Sequence, residues 1–518
     1  MSQRLIDYVA QGFGTLCGFL DIHADEQPEK TALAHNDRSL TYAELNDRVN
    51  RFAAALQGDG LKPRDTVSIC GLNGIDYVIG FLGTLRAGMT VAPLAPSSTP
   101  EALIGMLKDS AAKVLLVDQK SLDAMEPLLS EVDVRILKME EVGSDSVTSF
   151  LAPEGTRPTP VEIDPDQPFN IIYSSGTTGT PKGIVQSHKM RWSHTRPTDP
   201  PGFGPDAVSL LSTPLYSNTT LVAFIPTLSG GGTVVLMEKF NTEKYLQLAE
   251  KWRVTHTMLV PVQYQRLMDF DGFDDFDLSS FEMKFCTSAP FNAALKRDIL
   301  KRWPGGLVEY YGMTEGGGSC GLEAHLYPNK LHTVGKPLPG HDIRIIDEEG
   351  KELPAGATGE IVGASPAIMN GYHNKPDKTK ETEWYSPEGQ RFIRTGDVGR
   401  YDEDGFITLM DRKKDMIISG GFNIYPSDIE HLLRTHEAVA DVAVVGVSSR
   451  QWGETPVAFV VRKPGAKATA DTIKSWANDQ LGKTQRLADL VLSDELPRSA
   501  IGKVLKRDLR DQYGEAQA

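Results

Sequence analysis

Short runs of β-branched and aliphatic residues recur along the chain, each set between longer stretches of helical character. They include "TVSIC", "KVLLVD", "FNIIYSS", "AVSLLS", "GTVVLM", "HTMLV", "MKFCTSA" and "LVEYYG". Runs of this kind suit strands buried on both faces, and their alternation with helical stretches predicts large, mostly parallel sheets covered by helices. The fold class expected is α/β, with a large N-terminal domain over residues 1–410 built from stacked sheets and helices. Near Asp411 the texture changes. After "GFITLMDRKKDMIISGGFNIYP" the pattern predicts one short helix, two strands ("AVADVAVVGV" and "TPVAFVVRK"), another helix and a basic tail. This reads as a separate α+β unit over residues 411–518, about 100 residues and so within the usual domain range. The polar "DRKKD", between two apolar strands, marks the boundary. No internal repeat is present.

Composition narrows the class. A chain of 518 residues exceeds a single compact core. Its 54 Lys and Arg against 69 Asp and Glu give a net charge of -15. That balance argues against nucleic acid or an anionic membrane as partner and for a soluble cytoplasmic protein, while leaving room for a local basic patch around a small phosphorylated ligand. Cys17, Cys70, Cys286 and Cys320 form no CxxC pair, which speaks against a disulfide framework or zinc site and for a reducing compartment. The opening "MSQRLIDYVAQGFG" lacks the basic-then-apolar order of a signal peptide, and the ending "GEAQA" is neither a prenylation nor a peroxisomal signal. With no run of 18 apolar residues, no membrane span is expected.

One segment carries chemistry. "IIYSSGTTGTPKGIVQSHK" runs from Ile171 to Lys189, an apolar strand entering a loop of small and hydroxylated residues. The carboxyl edge of a sheet strand is where ligands bind in such folds. Backbone N–H groups of a Gly/Ser/Thr loop can converge on phosphate oxygens. Gly176, Gly179 and Gly183 keep Cβ atoms out of the way, Ser174, Ser175, Thr177 and Thr178 add hydroxyl donors, and Lys182 supplies a point charge. The spacing differs from GxxxxGK[ST], and no Ser or Thr follows Lys182 to hold magnesium. A phosphate loop of another type is therefore expected. By contrast "GGGSCG" from Gly316 fits GxGxxG only formally and is expected to be a plain loop.

"YSSGTTGTPKG" resembles the signature of the adenylate-forming superfamily of acyl-CoA synthetases, adenylation domains and luciferases. Further signatures follow in that family's order: "YYGMTE" (Tyr310 to Glu315), "RTGD" (Arg394 to Asp397), "DRKKDMIISGGFNIYP" (Asp411 to Pro426) and "PRSAIGKVLK" (Pro497 to Lys506). The similarity extends from "LTYAELN" at Leu40 onward and is most like a carboxylic acid–CoA ligase of the 4-coumarate, feruloyl or fatty-acyl type. It implies two half-reactions: an acid and ATP give an acyl-adenylate and pyrophosphate, and a thiol then takes the acyl group and releases AMP. ATP, Mg²⁺ and coenzyme A are the implied cofactors.

The resemblance assigns roles residue by residue. Lys182 and its loop hold the β,γ-phosphates, Thr314 the α-phosphate, and Glu315 Mg²⁺, for which one carboxylate plus phosphates suffices. Tyr311 stacks on adenine, while Asp397 and Arg412 meet the ribose. Lys503, in "SAIGKVL", enters between carboxylate and phosphate during adenylation, and Lys506 reads as a surface lysine. The small domain is mobile, turning about Asp411 to withdraw Lys503 and present "SGGFN", where Gly420 and Gly421 let a pantetheine arm pass close to the backbone. Trp452 either lines the CoA entrance or packs the small domain. Lys483 and Arg486 either meet CoA phosphates or are solvated. Ser427 and Glu430 in "PSDIE" read as a capping box.

The acid pocket is expected from Tyr216, Ser217, Asn218, Gln263, Ser288, Ala289, Gly312 and Met313. Relatives commonly place histidine after the aromatic, and here Ser217 stands there instead. No aspartate near Tyr216 would pair with an α-amine, which counts against amino-acid substrates. The lining leans toward an aryl or hydroxycinnamic acid over a fatty acid. Beside the CoA ligase stand two other readings: an adenylation enzyme loading a carrier protein in trans, and a nucleotide-binding regulator without turnover. The intact Lys182, Glu315, Asp397 and Lys503 speak against the last. A homodimer is compatible with the chain.

Overall fold

The computed structural model describes residues 2–140, 143–174, 182–195, 202–412, 415–419, 422–449, 452–482, 485–499 and 502–517. The chain packs into two compact units, one of Met1–Leu331, Pro337–Asp342 and Gly363–Ile393, the other of His332–Lys336, Ile343–Val362 and Arg394–Ala518. All eight apolar runs singled out in the sequence are strands of the first unit. Among the described residues no helix is long and apolar enough to cross a membrane, and all four cysteines are buried and free.

Two large sheets organise the first unit. One runs in the order Cys320–Glu323, Gly306–Tyr311, Met283–Cys286, His256–Leu259, Val208–Leu211, Thr233–Leu236, Thr31–His35 and Arg38–Thr41. From Gly306–Tyr311 to Thr31–His35 the pairs are parallel, and Cys320–Glu323 and Arg38–Thr41 are added antiparallel on either side. The other runs Gly371–Tyr372, Lys182–Ser187, Pro168–Ser174, Thr90–Leu94, Thr66–Cys70, Ala112–Val117 and Arg135–Lys138. The helices Leu16–Glu26, Tyr42–Gly58, Ile75–Arg86 and Asn218–Ser229 contribute to the core through Leu20, Phe52, Phe81 and Phe224, all buried. Helix Ile75–Arg86 is buried along almost its whole length, which is why it reads as apolar all round.

The second unit contains the α+β module expected at the C-terminus. Strands Phe422–Ile424, Ile417–Ser419, Gly453–Arg462 and Val439–Ser449 form a sheet in that order. Val442 and Val444 pack in one cluster with Ile429, Leu433 and Ile473, while Ala443 and Val445 pack in another with Phe459 and Leu509. Both faces are thus covered, which accounts for the unbroken apolar run "VAVV". Three expectations need correction. The tail contains a fifth strand, Asp489–Ser493, parallel to Gly453–Arg462, and a terminal helix, Lys506–Gln517. Helix Pro426–Arg434 starts after Tyr425 with no side-chain cap, and Ser427 donates instead to the Met410 carbonyl. Glu430 is buried, accepts from the Val444 N–H at 2.9 Å, and lies 2.9 Å from Lys506 Nζ. Lys506 is therefore an internal clamp between two helices and a strand.

The glycine run after "YYGMTE" is a packing device, as its reading as a plain loop allows. Gly316 has φ +76, and a Cβ there would stand 1.8 Å from the Ala367 carbonyl oxygen. Gly317 N–H donates to that same oxygen at 3.2 Å. Gly316→Ala combines a left-handed backbone with a clash against main chain, and we expect it to cost about 2–4 kcal/mol. A clear fall in the melting midpoint checks this.

Candidate active site

The site is built on the hairpin that flanks the glycine-rich segment. Strand Pro168–Ser174 pairs antiparallel with Lys182–Ser187 and sets Ser174 opposite Lys182. Ser175, Gly176, Thr177, Thr178 and Gly179 lie outside the described residues. The Lys182 ammonium sits over the Tyr372 ring, 5.2 Å from its centroid. The Tyr372 hydroxyl donates to Glu315 Oε1 at 2.8 Å. Burial, with the Glu315 carboxylate alongside, holds that phenol protonated far above its ordinary range. Glu315 is fixed from the other side as well, its carbonyl accepting from Met369 N–H at 2.9 Å. Met313 packs beside Ile184, Met369 and Tyr372. Residues from two distant sequence motifs, Lys182 and Glu315, thus share one partner.

Thr314 is held by a second network. Gln186 Nε2 donates to the Thr314 carbonyl at 2.7 Å. Gln186 Oε1 accepts from Asn170 Nδ2 at 2.9 Å and from the Arg191 guanidinium. Arg191 also donates to Asn170 Oδ1 at 3.1 Å and to Asn218 Oδ1 at 2.9 Å. Only 1% of Arg191 is exposed, and among the described residues no carboxylate pairs with it. Burial lowers its pKa to about 9, so it stays charged at neutral pH.

The acid-pocket candidates divide. Ser217 caps helix Asn218–Ser229, accepting from Thr219 N–H at 3.3 Å. Gln263 is buried, with Oε1 accepting from Val260 N–H at 3.1 Å and Nε2 donating to Ser212 at 3.5 Å. The Ser217 hydroxyl and Gln263 Oε1 are thus engaged at helix starts. Ser288 is different: its φ is +83, and its hydroxyl lies 2.5 Å from that of Thr219. A non-glycine residue held in this conformation marks a place where the surrounding structure overrides local preference. Tyr216, Ala289 and Gly312 are each at least partly accessible.

In the second unit, Asp397 lies directly opposite Arg412 across the antiparallel pair Arg391–Tyr401 and Ile407–Arg412, and Asp411 lies opposite Val398. Thr395 fixes the backbone before Asp397, donating to the Ile361 carbonyl at 2.8 Å and accepting from Asp397 N–H at 3.0 Å. Lys503 is exposed on a tight turn in which Ser499 N–H donates to the Lys503 carbonyl at 2.8 Å. Arg498 ties that turn down, bonding the Gly502 carbonyl at 2.6 Å and Asp441 at 2.5 Å. Trp452 is 46% exposed. Arg486 is exposed. Gly420, Gly421 and Lys483 lie outside the described residues.

Tyr372, Gln186 and Arg191 were missed in the sequence. "GYHN" around Tyr372 matches none of the motifs, and Arg191 in "HKMRW" looks like any charged residue of a surface helix. Only the tertiary pairing of strand Gly371–Tyr372 with Lys182–Ser187 reveals the first.

Among the described residues no group of three His, Cys, Asp or Glu could hold a metal. A lone carboxylate such as Glu315 could hold a cation together with a ligand that brings its own oxygens, and Mg²⁺ with phosphates would fit that description.

These features define an adenylate-forming enzyme: a hairpin with a glycine-rich connection, a Thr-Glu pair anchored beside its lysine, and a small unit carrying an exposed lysine on a braced turn. The chain belongs to the family of AMP-binding enzymes, whose profile matches residues 20–373, with the AMP-binding enzyme C-terminal domain matching residues 428–503. It is an AMP-forming acid–thiol ligase. It is 33% identical over 512 residues to an indoleacetate–CoA ligase of Aromatoleum aromaticum, covering 96% of this chain and 97% of the relative. It is 31% identical over 516 residues to the fatty acid–[acyl-carrier-protein] ligase ScoC of Streptomyces coeruleorubidus, covering 96% of each. ATP-bound MatB from Rhodopseudomonas palustris superposes with a TM-score of 0.87 at 30% identity, covering 97% of this chain and all of that one.

Arg191→Met takes the guanidinium from the amide oxygens of Asn170 and Asn218 and leaves Gln186 Oε1 with Asn170 Nδ2 alone, and should cost about 2–4 kcal/mol. Arg191→Lys, which keeps the charge but loses the planar fork, should fall between it and the wild type. Melting midpoints, with the KM for ATP measured alongside, check that order.

Proposed function

We propose that the chain is an ATP-dependent carboxylic acid–CoA ligase that works in two half-reactions. The observation that carries this reading is the link from Lys182 through Tyr372 to Glu315, which sets a cation and a carboxylate beside the hairpin that flanks the glycine-rich segment. In the first half-reaction a carboxylate oxygen attacks the α-phosphorus of ATP, and pyrophosphate leaves. The reacting groups are both anionic, and two unit charges 4 Å apart repel by about 4 kcal/mol at an effective dielectric of 20. Lys503 is the residue for that gap, its ammonium offsetting the repulsion as the new bond forms. Lys182 and the hydroxyls of its loop bind the departing phosphates, Thr314 donates to the α-phosphate, and Tyr311 stacks on the base. Asp397 and Arg412 bind the ribose. Mg²⁺, shared between Glu315 and the phosphates, would neutralise charge on the leaving group. In the second half-reaction the CoA thiolate attacks the acyl carbonyl, and AMP leaves.

Lys503 has no task in the second step. A hinge at Asp411, dividing residues 1–410 from 411–518, would withdraw it and bring the segment around Gly420 and Gly421 to the acyl-adenylate, with Trp452 at the CoA entrance. An aryl acid is the favoured substrate. The partly accessible Tyr216 at the pocket and the similarity to an indoleacetate ligase support it. Similarity to a fatty acid–carrier ligase favours a second reading, in which the acceptor is a carrier protein presenting the same pantetheine arm.

AMP release from ATP, across a panel of aryl and fatty acids with and without CoA, tests the proposal. CoA-dependent AMP release with an aryl acid is expected, with Lys503→Ala slowing adenylation about 10²- to 10³-fold. Pyrophosphate release without CoA-dependent turnover would move the acceptor to a carrier, and no ATP consumption with any acid would overturn the reading. Asp411→Pro should leave pyrophosphate release intact and block thioester formation, and equal loss of both would reject the hinge.

A further inference from the structure

Tyr372 touches both charged groups that the proposed reaction needs at the phosphates. It is 8% exposed and its ring is fixed from several directions. Its strand pairs with Lys182–Ser187, with Tyr372 opposite Ile184. It packs with Ile184, Met369 and Ile393, and its main-chain N–H donates to Thr379 Oγ1 at 2.9 Å. On this fixed ring the hydroxyl reaches Glu315 Oε1 at 2.8 Å, while the face seats the Lys182 ammonium 5.2 Å from the centroid.

Opposite charges brought this near would ordinarily pair and quench one another. Among the described residues Lys182 forms no ion pair, and its ammonium rests on the π face instead. A ring face attracts a cation without taking its N–H donors, so those donors stay available to a phosphate. The hydroxyl bond fixes one oxygen of Glu315 and orients the other. We infer that Tyr372 is a positioning residue that holds Glu315 and Lys182 apart and preset, the one for the metal and the other for the phosphates. The inference rests on the roles proposed above for those two residues.

Two variants separate its two contacts. Tyr372→Phe removes the bond to Glu315 and keeps the ring, whereas Tyr372→Leu removes both contacts. ATP binding to the full chain is measured by titration calorimetry, in EDTA and in excess MgCl₂, for both variants and for Glu315→Gln. Glu315→Gln should lose the gain in affinity that Mg²⁺ brings. Tyr372→Phe should shrink that gain about tenfold with affinity in EDTA unchanged, and Tyr372→Leu should in addition weaken binding in EDTA about three- to fivefold. A full Mg²⁺ gain in Tyr372→Phe beside a lost gain in Glu315→Gln overturns the positioning role alone. A full gain in Glu315→Gln overturns the placement of magnesium there, and this inference with it. Tyr372→Phe preserves the buried ring, so it carries the test even where Tyr372→Leu does not fold.

Discussion

One buried charge ties together the elements beside the candidate site. Arg191, 1% exposed, spends its guanidinium on the oxygens of Asn170, Gln186 and Asn218. Burying an ion is costly unless its hydrogen bonds are met, so these three side chains are fixed by the charge they solvate. Through them it ties strand Pro168–Ser174 to strand Lys182–Ser187, and both to the start of helix Asn218–Ser229. Gln186 passes the constraint to the Thr314 carbonyl. A carboxylate in place of the amides would solvate Arg191 more cheaply and cancel its field. Amides leave a net positive charge two hydrogen bonds from the Thr-Glu pair, in a region proposed to receive the phosphates of ATP.

The same region shows why glycine clusters must be read by what approaches them. Gly316 and Gly317 take left-handed backbone and lie against the main chain of residues 363–368. Their close approach holds the segment from Met313 to Gly317 on its neighbour, and so brings Glu315 within reach of Tyr372. The glycines of "SSGTTGTPKG" follow a strand end and are proposed to meet a ligand. The two clusters are alike in composition and differ in partner, which is backbone in one case and is proposed to be phosphate in the other.

How much of this was legible in the sequence follows from the range of the forces involved. Strands such as Thr66–Cys70 and Ala112–Val117 are buried along nearly their whole length, and their short runs of aliphatic and small residues announce that locally. Motifs such as "YYGMTE" and "RTGD" carry their chemistry in a few adjacent residues. The rest depended on pairing across long stretches of chain. Glu430 fits a capping box by spacing, yet tertiary packing turns it toward Val444 and Lys506. Ser217 and Gln263 also hold helix starts, through bonds to the Thr219 and Val260 N–H groups that their motif neighbourhoods do not announce. Arg191 and Tyr372 have no local signal, because the letter of a residue does not say what it is buried against.

A lysine proposed to enter and leave a reaction site poses a mechanical problem. Its long side chain loses about 2 kcal/mol of rotamer entropy when fixed, so the backbone carrying it should contribute no further disorder. The turn bearing Lys503 is built for that. Arg498 bonds the Gly502 carbonyl and reaches Asp441 on strand Val439–Ser449. That strand is clamped in turn by Glu430, which also holds Lys506 at the start of the terminal helix. The exposed lysine thus stands on a braced turn between a strand and a helix of one small core. A rigid mount lets the motion of the unit as a whole decide where Lys503 stands, and a proposed hinge at Asp411 needs such a mount to convert rotation into catalysis.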